Sequence, residues 1–250
     1  HRVSASDLLA WVSGQRVTRL LLPPVLCQKL ADADMPIPAQ SLFTGGGPVY
    51  PDIVQCLMER NPGLRVVSVY GSTEAEPISH LDAADISDAD WQAMRDGKGL
   101  LAGKPVDSIA LRIVDGEIVV AGPHVNRGYL DPDQDRDTKR HENGTTWHGT
   151  GDGGRLDDQG RLWLLGRCHE MAGVASPLVV ETAARYWRGV RRAAVCGETL
   201  AVEGDSRHIA DWVAFAAAFG ITDVRHLARI PMDRRHGSKV DIPRLRAMLG

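Results

Sequence analysis

The sequence predicts an α/β chain with a small antiparallel β-barrel subdomain in its middle and a small α+β domain at its C-terminus. Three observations carry this. Helical and strand-like apolar spacings alternate up to about Arg95. After Gly97 the pattern changes to short strands between glycine turns, and beyond Arg167 strand and helix alternate again on a smaller scale. The expected boundaries are 1–96 for an α/β subdomain, 97–166 for the barrel and 167–250 for a short, mobile C-terminal domain.

In order, residues 6–11 and 25–30 have helical spacing, with Ser6 and Asp7 as caps, and 17–22 reads as a strand between them. Ser41 to Thr44 leads into Gly45-Gly46-Gly47-Pro48, where three glycines let the backbone approach a flat ligand closely. A helix over 51–60 follows, with Ile53, Leu57 and Met58 on one face. Asn61-Pro62-Gly63 ends it. The next strand begins Val66-Val67-Ser68-Val69, breaks at Gly71 and delivers Tyr70, Ser72, Thr73 and Glu74. There a ring can stack on a base, a hydroxyl can donate to phosphate, and a carboxylate offers the hard oxygen that Mg²⁺ prefers.

After Asp82 an acidic helical stretch runs through Trp91 and Met94. Strands are then expected over 109–114, 117–121 and 161–165, with Gly166-Arg167 closing the barrel. Thr150-Gly151-Asp152 is read as a turn in which Asp152 accepts from both ribose hydroxyls, and Arg167 donates to ribose or phosphate. Near the end, Ser238-Lys239 places a cation in a polar loop, where it can meet a carboxylate and an α-phosphate as they react.

Composition removes several classes. A net charge of -3 without a basic stripe excludes nucleic acid as a partner. Four irregularly spaced cysteines without a C-x-x-C pair argue against zinc and a disulfide framework, and fit a reducing cytoplasm. The longest apolar runs, 20–26 and 212–219, are too short for a transmembrane segment, and no secretory leader is expected. The start at His1 suggests a piece of something longer.

Three motifs mislead. Residues 149–154 satisfy G-x-G-x-x-G but lack the flanking strand and helix of a dinucleotide site. Asp131, Asp133, Asp135, Asp137 and Glu142 mimic a calcium loop, yet Arg136 occupies the glycine position. The serines and histidines include no G-x-S-x-G elbow.

The order GGGP, VYGSTE, GEIVVAGPHVNRGYL, TGD, GRLWLLGR and a near-terminal SKV resembles the adenylate-forming superfamily of acyl-CoA synthetases, peptide-synthetase adenylation domains and luciferases. The resemblance implies a partial adenylate-forming fold and an ATP-dependent, AMP-forming acid ligase. Its cofactors would be ATP/AMP and Mg²⁺, its substrate a small carboxylic acid of fatty or hydroxy-fatty type. Gly45, Gly46 and Gly47 would belong to the nucleotide and acyl pocket, with Tyr70 on adenine alongside Gly71 and Ser72. Thr73 would contact the α-phosphate, Glu74 bind Mg²⁺, Asp152 and Arg167 hold the ribose, and Lys239 promote adenylation. No Ser/Thr/Gly-rich phosphate loop occurs, so the N-terminal half of the catalytic domain is expected to be missing and the fragment inactive alone.

The family's usual segment after the Gly-Arg hinge is replaced by residues 168–174, which weakens the inference of CoA as acceptor. The tail Asp233 to Lys239, with Val190 to Val195, looks more like olefin β-lactone synthetases, which implies closure by the acid's own hydroxyl. A competing reading is a non-catalytic nucleotide-binding or interaction module that has kept the pocket.

Overall fold

The computed structural model describes residues 3–170, 175–233 and 237–250. The first third is a parallel α/β unit: α1 (Ala5–Gly14), β1 (Arg19–Leu22), α2 (Pro24–Ala33), β2 (Ser41–Gly45), α3 (Pro51–Arg60) and β3 (Arg65–Ser72). β1, β2 and β3 pair in parallel and in that order. Val12, Leu30 and Leu57 of the three helices share one core with Leu20, Leu42 and Val66 of the strands. The cap of α1 is Ser4 rather than Ser6 or Asp7, its hydroxyl accepting from the Asp7 amide at 3.1 Å.

β3 does not break at Gly71. The strand runs on to Ser72, and the glycine sits at a register shift between Tyr70 and Ser72, so it marks a bulge. β4 (Ala75–Asp82) then folds back antiparallel on β3. After α4 (Asp88–Arg95) come β5 (Leu100–Pro105), β6 (Ala110–Val114), β7 (Glu117–Ala121), the single turn α5 (Asp135–Thr138), β8 (Lys139–Glu142), β9 (Thr145–Leu156) and β10 (Leu162–Arg167).

These strands do not form the separate closed barrel expected for 97–166. β5 pairs with both β4 and β10, so the second set of strands extends the first, giving one ten-stranded sheet ordered β1-β2-β3-β4-β5-β10-β9-β7-β6 with β8 on β9. Arg167 lies mid-sheet rather than at a closure. The turn expected at Thr150-Gly151-Asp152 is also absent: all three residues lie inside β9, with Asp152 directly opposite Arg167. Three flanking glycines had hidden a strand whose pairing comes from its neighbours.

Asp157, in the turn between β9 and β10, gathers the Trp163 indole N–H at 3.0 Å and the Arg161 guanidinium at 2.9 Å, and Arg161 reaches on to both oxygens of Asp90 on α4 at 2.7 and 2.8 Å. Burial raises the Asp157 carboxyl, but the Trp163 indole and the Arg161 amide and side chain outweigh it and bring it down to about 2. A depressed carboxyl contributes stability above its unfolded value, 3.8, that is lost as pH falls toward 2. A loss on the order of 2 kcal/mol is expected between pH 5 and pH 2. Urea midpoints at the two pH values check it, and Asp157→Asn should flatten that slope.

The C-terminal part holds α6 (Pro177–Ala184), β11 (Val190–Cys196), β12 (Thr199–Gly204), α7 (Ile209–Ala217), β13 (Asp223–Leu227) and α8 (Ile242–Leu249). Its three-stranded sheet uses the two-residue alternation of a strand. Leu200 and Val202 pack with Val180 of α6 and Trp212 of α7, while Ala201 packs with Leu245 of α8. Among the described residues no helix is long and apolar enough to cross a membrane.

Candidate active site

A cavity of about 970 Å³ lies between the C-terminal ends of β2 and β3, the β9–β10 ladder, α6 and the segment before α8. The glycines of the β2–α3 loop divide the work. A Cβ on Gly45 would lie 2.5 Å from the Val69 carbonyl, so this glycine permits the close approach of β2 to β3 and does not line the cavity. Gly46, at φ 79°, turns the chain, and Gly46 and Gly47 form part of the wall. A Cβ on Gly47 would stand 3.1 Å from Cβ of Ser238, so the C-terminal loop rests directly on this backbone.

Tyr70, Asp152 and Arg167 come together although they are far apart in sequence. The Tyr70 hydroxyl donates to Asp152 Oδ2 at 2.9 Å, and Arg167 Nη1 lies 3.1 Å from Asp152 Oδ1 while donating to the Thr150 carbonyl at 3.1 Å. Gly151, at φ 71°, kinks β9 between these anchors. Burial pushes the Asp152 carboxyl up, against the pull of Arg167, Tyr70 and Lys239. Burial and the neighbouring Asp152 push the Tyr70 hydroxyl well above its ordinary value, so it stays a donor. Each Asp152 oxygen keeps lone pairs for a further donor.

Gly71, Ser72, Thr73 and Glu74 lie along the end of β3 and the β3–β4 turn, and all four line the cavity. The Glu74 Oε1 accepts from the Tyr129 hydroxyl at 2.9 Å. Partial burial raises the Glu74 carboxyl, but its own amide and the hydroxyls of Ser72 and Tyr129 outweigh that and hold it below the usual range. It is therefore an anion at neutral pH. Among the described residues no cluster of three or more His, Cys, Asp or Glu could hold a metal. A lone carboxylate fits magnesium, which keeps its waters and takes one or two protein oxygens plus phosphates.

Lys239 is on the opposite wall. Met232 and Val240 bridge, the Asp233 amide donates to the Lys239 carbonyl at 2.8 Å, and the Lys239 amide donates to Asp233 Oδ1 at 3.0 Å, closing a loop that presents the exposed lysine side chain to the cavity. Of the segments singled out in the sequence, Met171 to Val174 and Arg234 to His236 lie outside the described residues.

The C-terminal part is fastened to the first α/β unit along a seam of polar contacts. Tyr50 donates to Glu181 Oε2 at 3.0 Å, and the Val195 amide to Glu181 Oε1 at 3.0 Å. Arg185 grips Asp52 at 2.6 to 3.0 Å and Gln28 at 2.7 Å. Burial pushes the Glu181 carboxyl up to about 7, against the Val195 amide and the Tyr50 hydroxyl.

Sequence reasoning assigned no role to Asn126, Tyr129, Lys139 or His148, which stand behind Glu74. A signal existed. Asn143 and Gly144, at φ 50° and 78°, make the two-residue turn of the β8–β9 hairpin, and that turn fixes Lys139 directly opposite His148.

A large cavity floored by the ten-stranded sheet and faced by a lysine from the segment before α8 is the arrangement that the resemblance to adenylate-forming enzymes predicts. A family model described as AMP-binding enzyme matches residues 1–130, and the chain belongs to that family. It is 33% identical over 200 residues to a 2-succinylbenzoate–CoA ligase of Enterococcus faecalis, covering 74% of this chain and 36% of that protein. An olefin β-lactone synthetase of Xanthomonas campestris is 30% identical over 213 residues, covering 72% of this chain and 38% of that protein. The chain thus spans well under half the length of these relatives. The fold is shared with an O-succinylbenzoate coenzyme A synthetase from Bacillus subtilis, solved with ATP and magnesium ion: TM-score 0.72, 24% identity, 98% of this chain and 55% of that one.

Proposed function

We infer that the protein carrying this chain activates a carboxylic acid as its acyl-adenylate, consuming ATP and releasing pyrophosphate. The carrying observation is the Asp152 carboxylate, held between Tyr70 and Arg167 at the floor of the cavity, with the Lys239 charge near enough from the facing wall to act on it. Asp152 accepts from the ribose hydroxyls, the Tyr70 ring lies along the base, and Thr73 donates to the α-phosphate. The acid's carboxylate oxygen attacks the α-phosphorus, and the bond to the pyrophosphate oxygen breaks with its electron pair. Lys239 offsets the charge on the carboxylate and phosphate oxygens as they approach. Magnesium at Glu74 would neutralise phosphate charge.

The acid we assign is fatty or hydroxy-fatty, supported by apolar lining from Val25, Ile53, Leu178 and Ile242 and by the similarity to a β-lactone synthetase. A thiol such as that of CoA, or the acid's own hydroxyl, then attacks the acyl carbonyl carbon, and the bond to the phosphate oxygen breaks with release of AMP. The phosphate loop is assigned to polypeptide outside these 250 residues, because nothing like it occurs in the sequence and the relatives are far longer.

The test is carboxylate-dependent exchange of labelled pyrophosphate into ATP by the protein carrying this chain, across fatty, 3-hydroxy fatty and aryl acids. Exchange is expected with one class and not without acid; ATP binding without exchange for any acid would leave the reading of a nucleotide-binding module. Product formation with and without CoA then separates thiol transfer from lactone closure.

A further inference from the structure

Behind Glu74 lies a buried polar group that the adenylation chemistry does not use. Lys139 is only 7% exposed and His148 3%, and the two face each other across the β8–β9 hairpin. The Lys139 amine donates to the Asn126 carbonyl at 2.8 Å, to the Asn126 side-chain oxygen, and to His148 Nδ1 at 3.2 Å. Burial and the Lys139 charge pull the His148 imidazole down toward its neutral form, and since an ammonium only donates, the contact makes Nδ1 the acceptor. The Lys139 ammonium also stands 5.2 Å from the centre of the Tyr129 ring, within reach of its π face.

The segment that Lys139 grips touches Glu74 twice. The Asn126 amide donates to the Glu74 carbonyl at 2.7 Å, and the Tyr129 hydroxyl donates to the Glu74 carboxylate at 2.9 Å. Tyr129 is anchored in turn by its own amide, which donates to Asp135 Oδ1 at 2.9 Å. Lys139 thus holds both the backbone and the side chain of Glu74 through one strip of chain, without touching Glu74 itself.

The geometry points to Lys139 as a positioning residue that, with Asn126 and Tyr129, aims the Glu74 carboxylate into the cavity and so sets how tightly nucleotide-bound divalent metal is held. This rests on the assignment of Glu74 to the metal. Buried amines are costly to retain unless their partners are fixed, and here His148 fixes the amine on the β9 side while Asn126 and the Tyr129 ring belong to the segment that frames one carboxylate. Groups that orient a metal ligand typically change metal affinity by about 10- to 100-fold when removed.

The experiment measures ATP binding to the protein carrying this chain by calorimetry, in EDTA and with Mn²⁺ as the metal probe. In the wild type Mn²⁺ is expected to tighten ATP binding. In Lys139→Met that gain should shrink about tenfold, while the affinity in EDTA stays within about twofold. Glu74→Gln should remove the gain. Where thermal melts show Lys139→Met unfolded, Tyr129→Phe, which deletes only the hydroxyl, must show a reduced gain. A full metal gain in the folded Lys139 or Tyr129 variant, with the gain lost in Glu74→Gln, overturns the brace and leaves Glu74 as ligand. A gain that survives Glu74→Gln overturns both, and a wild type that does not bind ATP overturns the nucleotide reading beneath them.

Discussion

Replacing Lys239 by alanine is expected to slow carboxylate-dependent exchange of pyrophosphate into ATP by on the order of 100-fold or more in the protein that carries this chain. The loop is pinned at its base by Asp233 and the Met232–Val240 bridge, so truncation removes a charge while the loop keeps its place. The charge is felt across the cavity: Lys239 is among the groups that oppose the burial of Asp152. Its largest effect is expected where negative oxygens converge, in the reacting complex rather than in bound ATP. The loss should therefore fall on kcat, with KM for ATP moving by only a few fold. Exchange at the wild-type rate in Lys239→Ala would remove this residue from the chemistry.

The second large effect is expected at Asp152. Changing it to asparagine should weaken AMP binding by about 100-fold or more, since two hydrogen bonds from ribose to a charged acceptor are lost or weakened at about 1.5–3 kcal/mol each. Asparagine keeps an oxygen for the Tyr70 hydroxyl, so the floor is not dismantled. Deoxy nucleotides sharpen the measurement. The wild type should lose affinity for 2′-deoxy-AMP and 3′-deoxy-AMP, whereas Asp152→Asn should distinguish neither from AMP. A wild type that binds all three equally places the ribose elsewhere.

The first α/β unit was legible because its helices and parallel strands carry their own periodicity; residues 51–60 were read with the same bounds that α3 shows. The strands read worst were those whose pairing comes from neighbours rather than from pattern. β9 contains Gly149, Gly151, Gly153 and Gly154, which looked like a turn, and β5 and β4 supply the junction that turns an expected barrel into an extension of the main sheet. The site divides in the same way. Tyr70, Glu74, Asp152, Arg167 and Lys239 were visible as motifs and all line one cavity. Gly45 carried the same signal for a different reason, the closeness of two strands. Asn126 and Tyr129 sit inside the GEIVVAGPHVNRGYL motif without a role of their own, and Lys139 and His148 bear no distinctive spacing; these two become neighbours only once the Asn143-Gly144 turn sets a register.

The contact between Gly47 and Ser238 gives the cavity a property that side chains could not. The lysine-bearing loop rests on bare main chain, and a single added methyl would stand 3.1 Å from it. Main chain has no rotamers, so the reference surface for the loop does not blur with thermal side-chain motion. The C-terminal loop is then placed against the backbone that leaves β2 for α3, and on that side the contact costs no side-chain entropy.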